Sequence, residues 1–219
     1  MMIKALIFDF DGLILETEEP IYLAWQEIYQ SYGCLLPLES WTSIIGTADY
    51  AFEPISELER QVGRQLDRQV LQTRQHQREA EMIMNRTAMP GVQDYLDDAR
   101  RLGLSIGLAS SSTCEWVTAH LERLGLVDYF DTIKGSDDVQ RTKPDPQLFL
   151  AVLDDLKVGA EEAIVLEDSP NGVLAANRAG IYCVAVPNGM TRELQFDHAD
   201  MQLESLADVP LEVLLAKIN

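Results

Sequence analysis

The chain opens on a short apolar run and then changes to helical spacing. Residues 4–9 (KALIFD) are almost continuously apolar, which predicts a parallel strand buried on both faces. From Glu16 to about Asn85, apolar residues recur three and four positions apart, with glycines and prolines at the breaks. This spacing predicts an all-helical block of roughly 70 residues.

After Gly91 the pattern alternates between strands and helices. Alternating βα units predict a parallel sheet, so the fold class is α/β, a doubly wound parallel sheet with an inserted α-helical domain. The predicted strands are 104–110, 132–134, 163–167 and 181–186, and the predicted helices are 92–102, 113–124, 145–156 and 170–179.

The helical block divides the chain into two predicted domains. Residues 1–15 and 87–219 form the α/β core, and residues 16–86 form the helical insertion. Because the insertion follows the first strand directly, we expect it to lie over the carboxyl end of that strand. Open α/β sheets bind their ligands at this edge.

The strongly acidic charge restricts the partners of the protein. Its 36 Asp and Glu against 17 Lys and Arg give a formal net charge of -19. Such a surface repels nucleic acids and anionic membranes, so we expect neither as a partner. An anionic substrate would need a local cation to draw it in.

The apolar segments and the cysteines predict a cytoplasmic location. The apolar part of the opening segment is too short for a signal peptide, and acidic residues follow it directly. No run of about 18 apolar residues occurs later in the sequence. Cys34, Cys114 and Cys183 are far apart and form no C-x-x-C pair. This usage is typical of a reducing compartment.

Polar residues follow each of the predicted strands that could line a site. Alone, a D-x-D is usually a turn, a serine after a strand is usually a helix cap and a lysine is usually solvated. Together, at the carboxyl ends of parallel strands, they predict one shared pocket. The residues are Asp9 and Asp11 after the first strand, Ser110 and Ser111 after the second, Lys143 in TKPDP, and Glu167 and Asp168 after AIVL.

The carboxylates in this set predict a magnesium site. Asp9, Asp11 and Asp168 cannot lie close together without a compensating charge, and a set of oxygen ligands suits Mg²⁺. Magnesium favours phosphate oxygens, so the expected substrate is a phosphate ester. Lys143 would add a second positive charge beside it.

The serines after the second predicted strand complete the expected phosphate site. Ser110 and Ser111, with backbone N–H groups at the start of the helix near Thr113, are placed to hold phosphate oxygens. The expected partner is therefore a small-molecule phosphate ester.

Four ordered motifs resemble the haloacid dehalogenase superfamily of phosphohydrolases: DFDGLI, LASSS, TKPDP and LEDSPNG. They span residues 9–172. The helical insertion is similar to the type 1 cap of the branch that contains β-phosphoglucomutase and phosphoglycolate phosphatase. The resemblance implies a Mg²⁺-dependent enzyme that works through an aspartyl-phosphate intermediate.

The resemblance also implies a role for each matching residue. Asp9 is the expected nucleophile and Asp11 the expected general acid and base. Mg²⁺ would be bound by Asp9, the carbonyl of Asp11 and Asp168. Glu167 is expected behind these ligands, and Asn171 is expected with Gly172 at the turn that presents Asp168.

The sequence departs from the mutase pattern in the insertion. Glu16 replaces the usual aspartate at the entry to the cap. Where the β-phosphoglucomutase type carries a histidine and an arginine for a second phosphate, the chain has Ile21 and either Ala48 or Asp49. The six arginines of the insertion have the spacing of solvated helix faces. These departures favour a phosphatase.

Three alternatives remain open on the sequence alone. A sugar phosphomutase would use the same two aspartates. A signalling receiver module has a similar set of residues, but it places its acceptor aspartate after the third strand. A non-catalytic phosphate-binding protein would gain little from Asp11. The substrate, which the loop 41–50 is expected to select, and the oligomeric state stay undetermined.

Overall fold

A computed structural model describes the protein over residues 2–42 and 52–218. Its centre is a six-stranded, fully parallel sheet with the order β3-β2-β1-β4-β5-β6. This sheet confirms the predicted fold class. The strands are β1 Ala5–Phe8, β2 Ser105–Ala109, β3 Thr132–Lys134, β4 Ala163–Glu167, β5 Tyr182–Ala185 and β6 Met201–Gln202.

Helices cover both faces of the sheet, as a doubly wound fold requires. Side chains alternate along β1, so Leu6 and Phe8 lie in one apolar cluster while Ala5 and Ile7 lie in the other. Helices α5, α6 and α9 pack on the first face, and α7 and α8 pack on the second. Their bounds are α5 Val92–Leu102, α6 Cys114–Leu124, α7 Gln147–Leu156, α8 Pro170–Ala179 and α9 Leu211–Ile218.

The elements after residue 186 were not predicted from the sequence. Strand β6 has two residues, which is too short to show any periodicity. Helix α9 is fixed by Leu211 and Leu214, both fully buried against the sheet. Tertiary contact therefore defines this end of the fold more than local pattern does.

The insertion is helical in its described residues, as predicted. It comprises α1 Glu18–Ser31, α2 Leu38–Thr42, α3 Pro54–Val62 and α4 Arg68–Ile83. Helix α3 begins under the Glu53 carboxylate, which accepts from the N–H groups of Ile55 and Ser56, and it ends at Gly63 in the left-handed conformation.

The insertion has an apolar core of its own. Trp25, Tyr29, Trp41, Leu58 and Leu71 are among the side chains buried in this cluster. The predicted specificity loop lies almost entirely outside the described residues, and so do Ala48 and Asp49.

Two chain segments join the insertion to the core, between β1 and α1 and between α4 and α5. An ion pair connects the second of these segments to the first turn of α1, with Arg86 Nη2 2.6 Å from Glu19 Oε2. The predicted boundaries after residues 15 and 86 fall in these two segments and stay a prediction. Across residues 2–42 and 52–218, no helix is long and apolar enough to cross a membrane.

Candidate active site

The sheet order places a crevice at the carboxyl end of β1. From β1 the chain moves to β2 and β3 on one side, and β4, β5 and β6 then form on the other side. Ligands bind at such switch points in open α/β sheets. Asp9 follows β1, Ser110 follows β2 and Asp168 follows β4, so the topology brings these predicted residues to one edge.

The turn after β1 depends on a glycine. Gly12 has φ +85°, and its N–H donates to the carbonyl of Leu15 at 2.7 Å. A Cβ atom on Gly12 would lie 2.2 Å from Oδ2 of Asp168. Only glycine therefore permits both the turn and the close approach of the Asp168 carboxylate.

Lys143 is held by the carboxylates at the base of the site. Its Nζ donates to Oδ1 of Asp9, to the carbonyl of Ala109 at 2.7 Å and to Oε1 of Glu167 at 2.6 Å. Burial disfavours the ammonium, but Asp9 and Glu167 raise the pKa of Lys143 above its ordinary value. The three donors of the ammonium are all used within the protein, so a contact with phosphate would have to replace one of these bonds.

Three buried carboxylates cluster at the base of the site, and two of them, Asp9 and Glu167, bind this cation. One oxygen each from Asp9, Glu167 and Asp168 lie within 4.8 Å of one another. Burial, and then the charge of Glu167, raises the pKa of Asp9 to about 8, although Lys143 opposes the shift. Burial, Asp9 and Glu167 likewise raise the pKa of Asp168. A single lysine thus leaves the cluster short of positive charge.

Asn188 fixes the orientation of Asp168. Its Nδ2 donates to Oδ2 of Asp168 at 2.7 Å and to the carbonyl of Gly12 at 3.1 Å. Its Oδ1 accepts from the N–H groups of Met190 and Thr191. Asn188 was not predicted from the sequence, although it lies just beyond the end of β5, as the predicted residues lie beyond the ends of other strands.

Glu167 lies behind Asp9 and Asp168, bonded to neighbouring residues on both oxygens. Oε1 accepts from Lys143, and Oε2 accepts from the N–H and hydroxyl of Ser169 at 3.1 Å each. A Cβ on Gly172 would lie 1.8 Å from Oε1. Gly172 therefore makes room for this carboxylate, while the neighbouring Asn171 lies in the first turn of α8.

Asp11 accepts four side-chain hydrogen bonds. Oδ1 accepts from Thr17 Oγ1 at 2.9 Å and Trp116 Nε1 at 3.1 Å, and Oδ2 accepts from Ser110 Oγ at 3.1 Å and Ser112 Oγ at 2.7 Å. The structure therefore directs the Ser110 hydroxyl to Asp11. The other three donors were not predicted from the sequence. Thr17 has the position of a helix cap but forms no cap bond, which gives it a different role.

The start of α6 is partly occupied by the protein itself. Thr113 Oγ1 accepts from the N–H of Trp116 at 3.3 Å, and Oδ1 of Asp137 accepts from the N–H of Cys114 at 2.9 Å. Two of the backbone groups considered for phosphate thus have acceptors already. Ser111 lies in the same loop, and its contact with phosphate stays a prediction.

Comparison with known proteins identifies the family. Residues 6–186 match the family described as "Haloacid dehalogenase-like hydrolase". The chain belongs to this family. The match runs from β1 through the end of β5 and includes every residue of the carboxylate cluster.

Similar haloacid dehalogenase-like proteins are named as phosphatases or mutases. "Putative phosphatase YhcW" of Bacillus subtilis (strain 168) is 47% identical over 218 residues, covering 100% of this chain and 99% of that protein. "Phosphorylated carbohydrates phosphatase" of Thermotoga maritima is 31% identical over 81% of this chain and 82% of its own. The crystal structure of β-phosphoglucomutase from Clostridium difficile matches with a TM-score of 0.75 and 26% identity, covering 100% and 98% of the two chains.

These findings confirm two predictions, membership of the haloacid dehalogenase-like family and an enzyme of the phosphoric monoester hydrolase class. The strand order of the sheet excludes the receiver alternative. Receiver domains have the strand order 2-1-3-4-5, whereas this sheet begins β3-β2-β1-β4-β5.

Proposed function

We propose that this protein hydrolyses a small phosphate monoester, with Mg²⁺, through a phosphoryl group carried transiently on Asp9. The observation that carries the proposal is the buried cluster of Asp9, Glu167 and Asp168, in which Lys143 binds Asp9 and Glu167, with Asp11 two residues from Asp9. An ionised carboxylate at the carboxyl end of β1 is a suitable nucleophile for phosphorus.

The donor set fits a hard divalent cation. Crowded carboxylates with raised pKa values, as in Asp9 and Asp168, are stabilised when a cation supplies the missing charge. Asp9 and Asp168 would hold Mg²⁺ with the carbonyl of Asp11, while Glu167 is engaged with Lys143 and Ser169. When bound, Mg²⁺ shields the nucleophile from the negative phosphate and stabilises the transferring group.

Asp9 and Asp11 divide the chemistry between them. Asp9 attacks phosphorus, and Lys143 keeps its carboxylate in place for that attack. Asp11 gives a proton to the leaving oxygen and later takes one from the attacking water. The hydroxyls of Thr17, Ser110 and Ser112 hold Asp11 near the crevice without charge of their own.

Hydrolysis is favoured over the mutase alternative by the insertion. A mutase must grip a second phosphate with cations while it excludes water. Ile21 packs against the apolar cluster of the insertion instead. The described entry to α1 carries Glu16, Glu18 and Glu19 and no lysine or arginine, so it offers no cation for a second phosphate.

The arginines of the insertion also favour hydrolysis over the mutase alternative, because most of them are already paired. Five of the six bond to residues within the insertion, and Arg64, the sixth, is exposed. The bonded pairs are Arg60 with Glu57, Arg68 with Glu53 and Glu59, Arg74 with Ser31, Arg78 with Glu27 and Glu81, and Arg86 with Glu19.

The test of the proposed function is hydrolysis of p-nitrophenyl phosphate and acetyl phosphate, with and without a chelator. We expect turnover that the chelator abolishes, and a phosphoryl group on the Asp9 peptide in acid-quenched protein. D9N should abolish both signals, whereas the matched variant D154N, at an exposed aspartate, should keep them. Full activity of D9N, or activity in the metal-free enzyme, would refute the assignment.

The mutase alternative has its own experiment. The enzyme is given β-glucose 1-phosphate with catalytic β-glucose 1,6-bisphosphate, and glucose 6-phosphate and free phosphate are followed together. We expect free phosphate to form at least as fast as glucose 6-phosphate. Much faster formation of glucose 6-phosphate would establish the mutase instead.

A further inference from the structure

One face of α6 connects Asp11 to the segment that joins the insertion to the core. Trp116, His120 and Arg123 are spaced four and three residues apart, so they lie on the same side of this helix. Trp116 Nε1 donates to Oδ1 of Asp11 at 3.1 Å. Seven residues later, Nη1 of Arg123 donates to the carbonyl of Arg86 at 2.9 Å.

Ring contacts hold the indole of Trp116 in place. It meets the His120 ring edge to face, with centroids 4.4 Å apart and planes at 70°. The His120 ring in turn stacks on Phe10, the residue between Asp9 and Asp11, with centroids 6.3 Å apart. The indole N–H therefore has a defined direction, because the indole packs on His120 and Phe10 in turn supports the His120 ring.

Trp116 differs in chemistry from the other three donors to Asp11. The hydroxyls of Thr17, Ser110 and Ser112 can donate or accept, since each can rotate its hydrogen. An indole N–H can only donate. An oxygen that faces it is therefore kept as an acceptor, and a proton on the same carboxyl group is directed to the other oxygen.

We propose that Trp116 is a positioning residue for Asp11, which holds Oδ1 as an acceptor and so assigns the transferred proton to Oδ2. The inference rests on the proposed phosphatase function. Oδ2 faces the hydroxyls of Ser110 and Ser112, which can accept from it once it is protonated.

The same atom, Oδ2 of Asp11, then carries the transferred proton in both half-reactions. In the first, an oxygen of Asp9 bonds to phosphorus, the bond to the leaving oxygen breaks with its electron pair on that oxygen, and the proton of Oδ2 neutralises it. In the second, a water oxygen bonds to phosphorus and gives its proton to Oδ2 of Asp11. The bond to Asp9 then breaks, which restores that carboxylate.

The test compares two leaving groups, because only one needs the proton. An alkoxide from glycerol 2-phosphate must be protonated as it leaves, whereas p-nitrophenolate leaves readily without a proton. We expect W116F to lower kcat/KM for glycerol 2-phosphate about tenfold or more, and that for p-nitrophenyl phosphate less than about threefold. The control is W25F, because Trp25 is a buried tryptophan in the insertion. This change should not lower kcat/KM for one ester more than for the other.

Two further variants separate positioning from packing. Benzothienylalanine at position 116 keeps the shape of the side chain and removes the N–H, so it should reproduce the selective loss with the ring contacts intact. In a D11N background, the change at Trp116 should add no further selectivity, because the group it positions is absent.

The outcomes distinguish this inference from the function on which it rests. Wild-type protein that hydrolyses neither ester would overturn the proposed function and the role of Trp116 with it. Active wild-type protein, with equal losses on both esters or none in the folded benzothienylalanine variant, overturns the role of Trp116 alone.

Discussion

The Nζ atom of Lys143 lies 2.6 Å from Oε1 of Glu167, and the two side chains are only 1% and 0% exposed. The same ammonium also contacts Asp9. A buried pair of this kind is costly to desolvate, and the removal of one partner leaves a charge without compensation. Lys143 is therefore a structural requirement of the carboxylate cluster as well as part of the site.

K143M should destabilise the protein by about 3–5 kcal/mol, because Glu167 and Asp9 would both lose their cation. Urea unfolding measures the change in free energy of unfolding. The matched control is K157M, since Lys157 is 76% exposed and pairs with an exposed aspartate. The double variant K143M/E167Q should be less destabilised than the sum of its single changes, and strict additivity would argue against the coupling.

The pKa of Asp9 predicts how the metal-free protein responds to pH. The raised pKa of Asp9 keeps the proton on the folded state up to about pH 8, whereas an unfolded aspartate releases it near its ordinary pKa of 3.8. The unfolded state therefore binds fewer protons between these values, so this group's contribution to stability is present at low pH and is lost as pH rises toward 8.

D9N removes that titration. The free energy of unfolding of the metal-free wild type should fall from pH 5 to pH 8 relative to that of D9N, measured by urea unfolding in a chelator. Saturating Mg²⁺ should reverse the difference at pH 8 if it binds this carboxylate. Parallel pH curves for the two proteins would show that Asp9 ionises normally in the fold.

The sequence predicted what local pattern controls and missed what the tertiary fold brings together. The apolar run before Asp9 is a buried strand, and Gly63 ends a helix, because periodicity and backbone freedom decide these features locally. Trp116 is different, because along the chain it is an ordinary residue of an amphipathic helix. Its contact with Asp11 spans 105 positions, and that between Asn188 and Gly12 spans 176. No local pattern encodes such contacts.

Asn188 is expected to set the affinity for the metal. It orients Asp168 through a 2.7 Å hydrogen bond, and such outer partners typically contribute about 10–100-fold to metal affinity. N188A should weaken Mg²⁺ binding by about this factor in calorimetric titration, a measurement independent of turnover. N177A, at an exposed position of α8, is the control. Unchanged affinity in a folded N188A protein would remove Asn188 from the site.

Gly12 offers the sharpest test of how the turn after β1 builds the site. G12A should lower both Mg²⁺ affinity and kcat/KM more than tenfold, since the new Cβ would fall 2.2 Å from Asp168 Oδ2 and 2.6 Å from Asn188 Nδ2. The strain of an alanine at positive φ must be separated from this clash. G33A does so, because Gly33 has φ +71° with no atom within 4 Å of the added Cβ. It should lose about 1 kcal/mol of stability and keep its metal affinity. If both variants lose metal affinity alike, backbone strain rather than displacement of Asp168 explains the effect. The role assigned to Gly12, making room for the Asp168 carboxylate, would then be wrong.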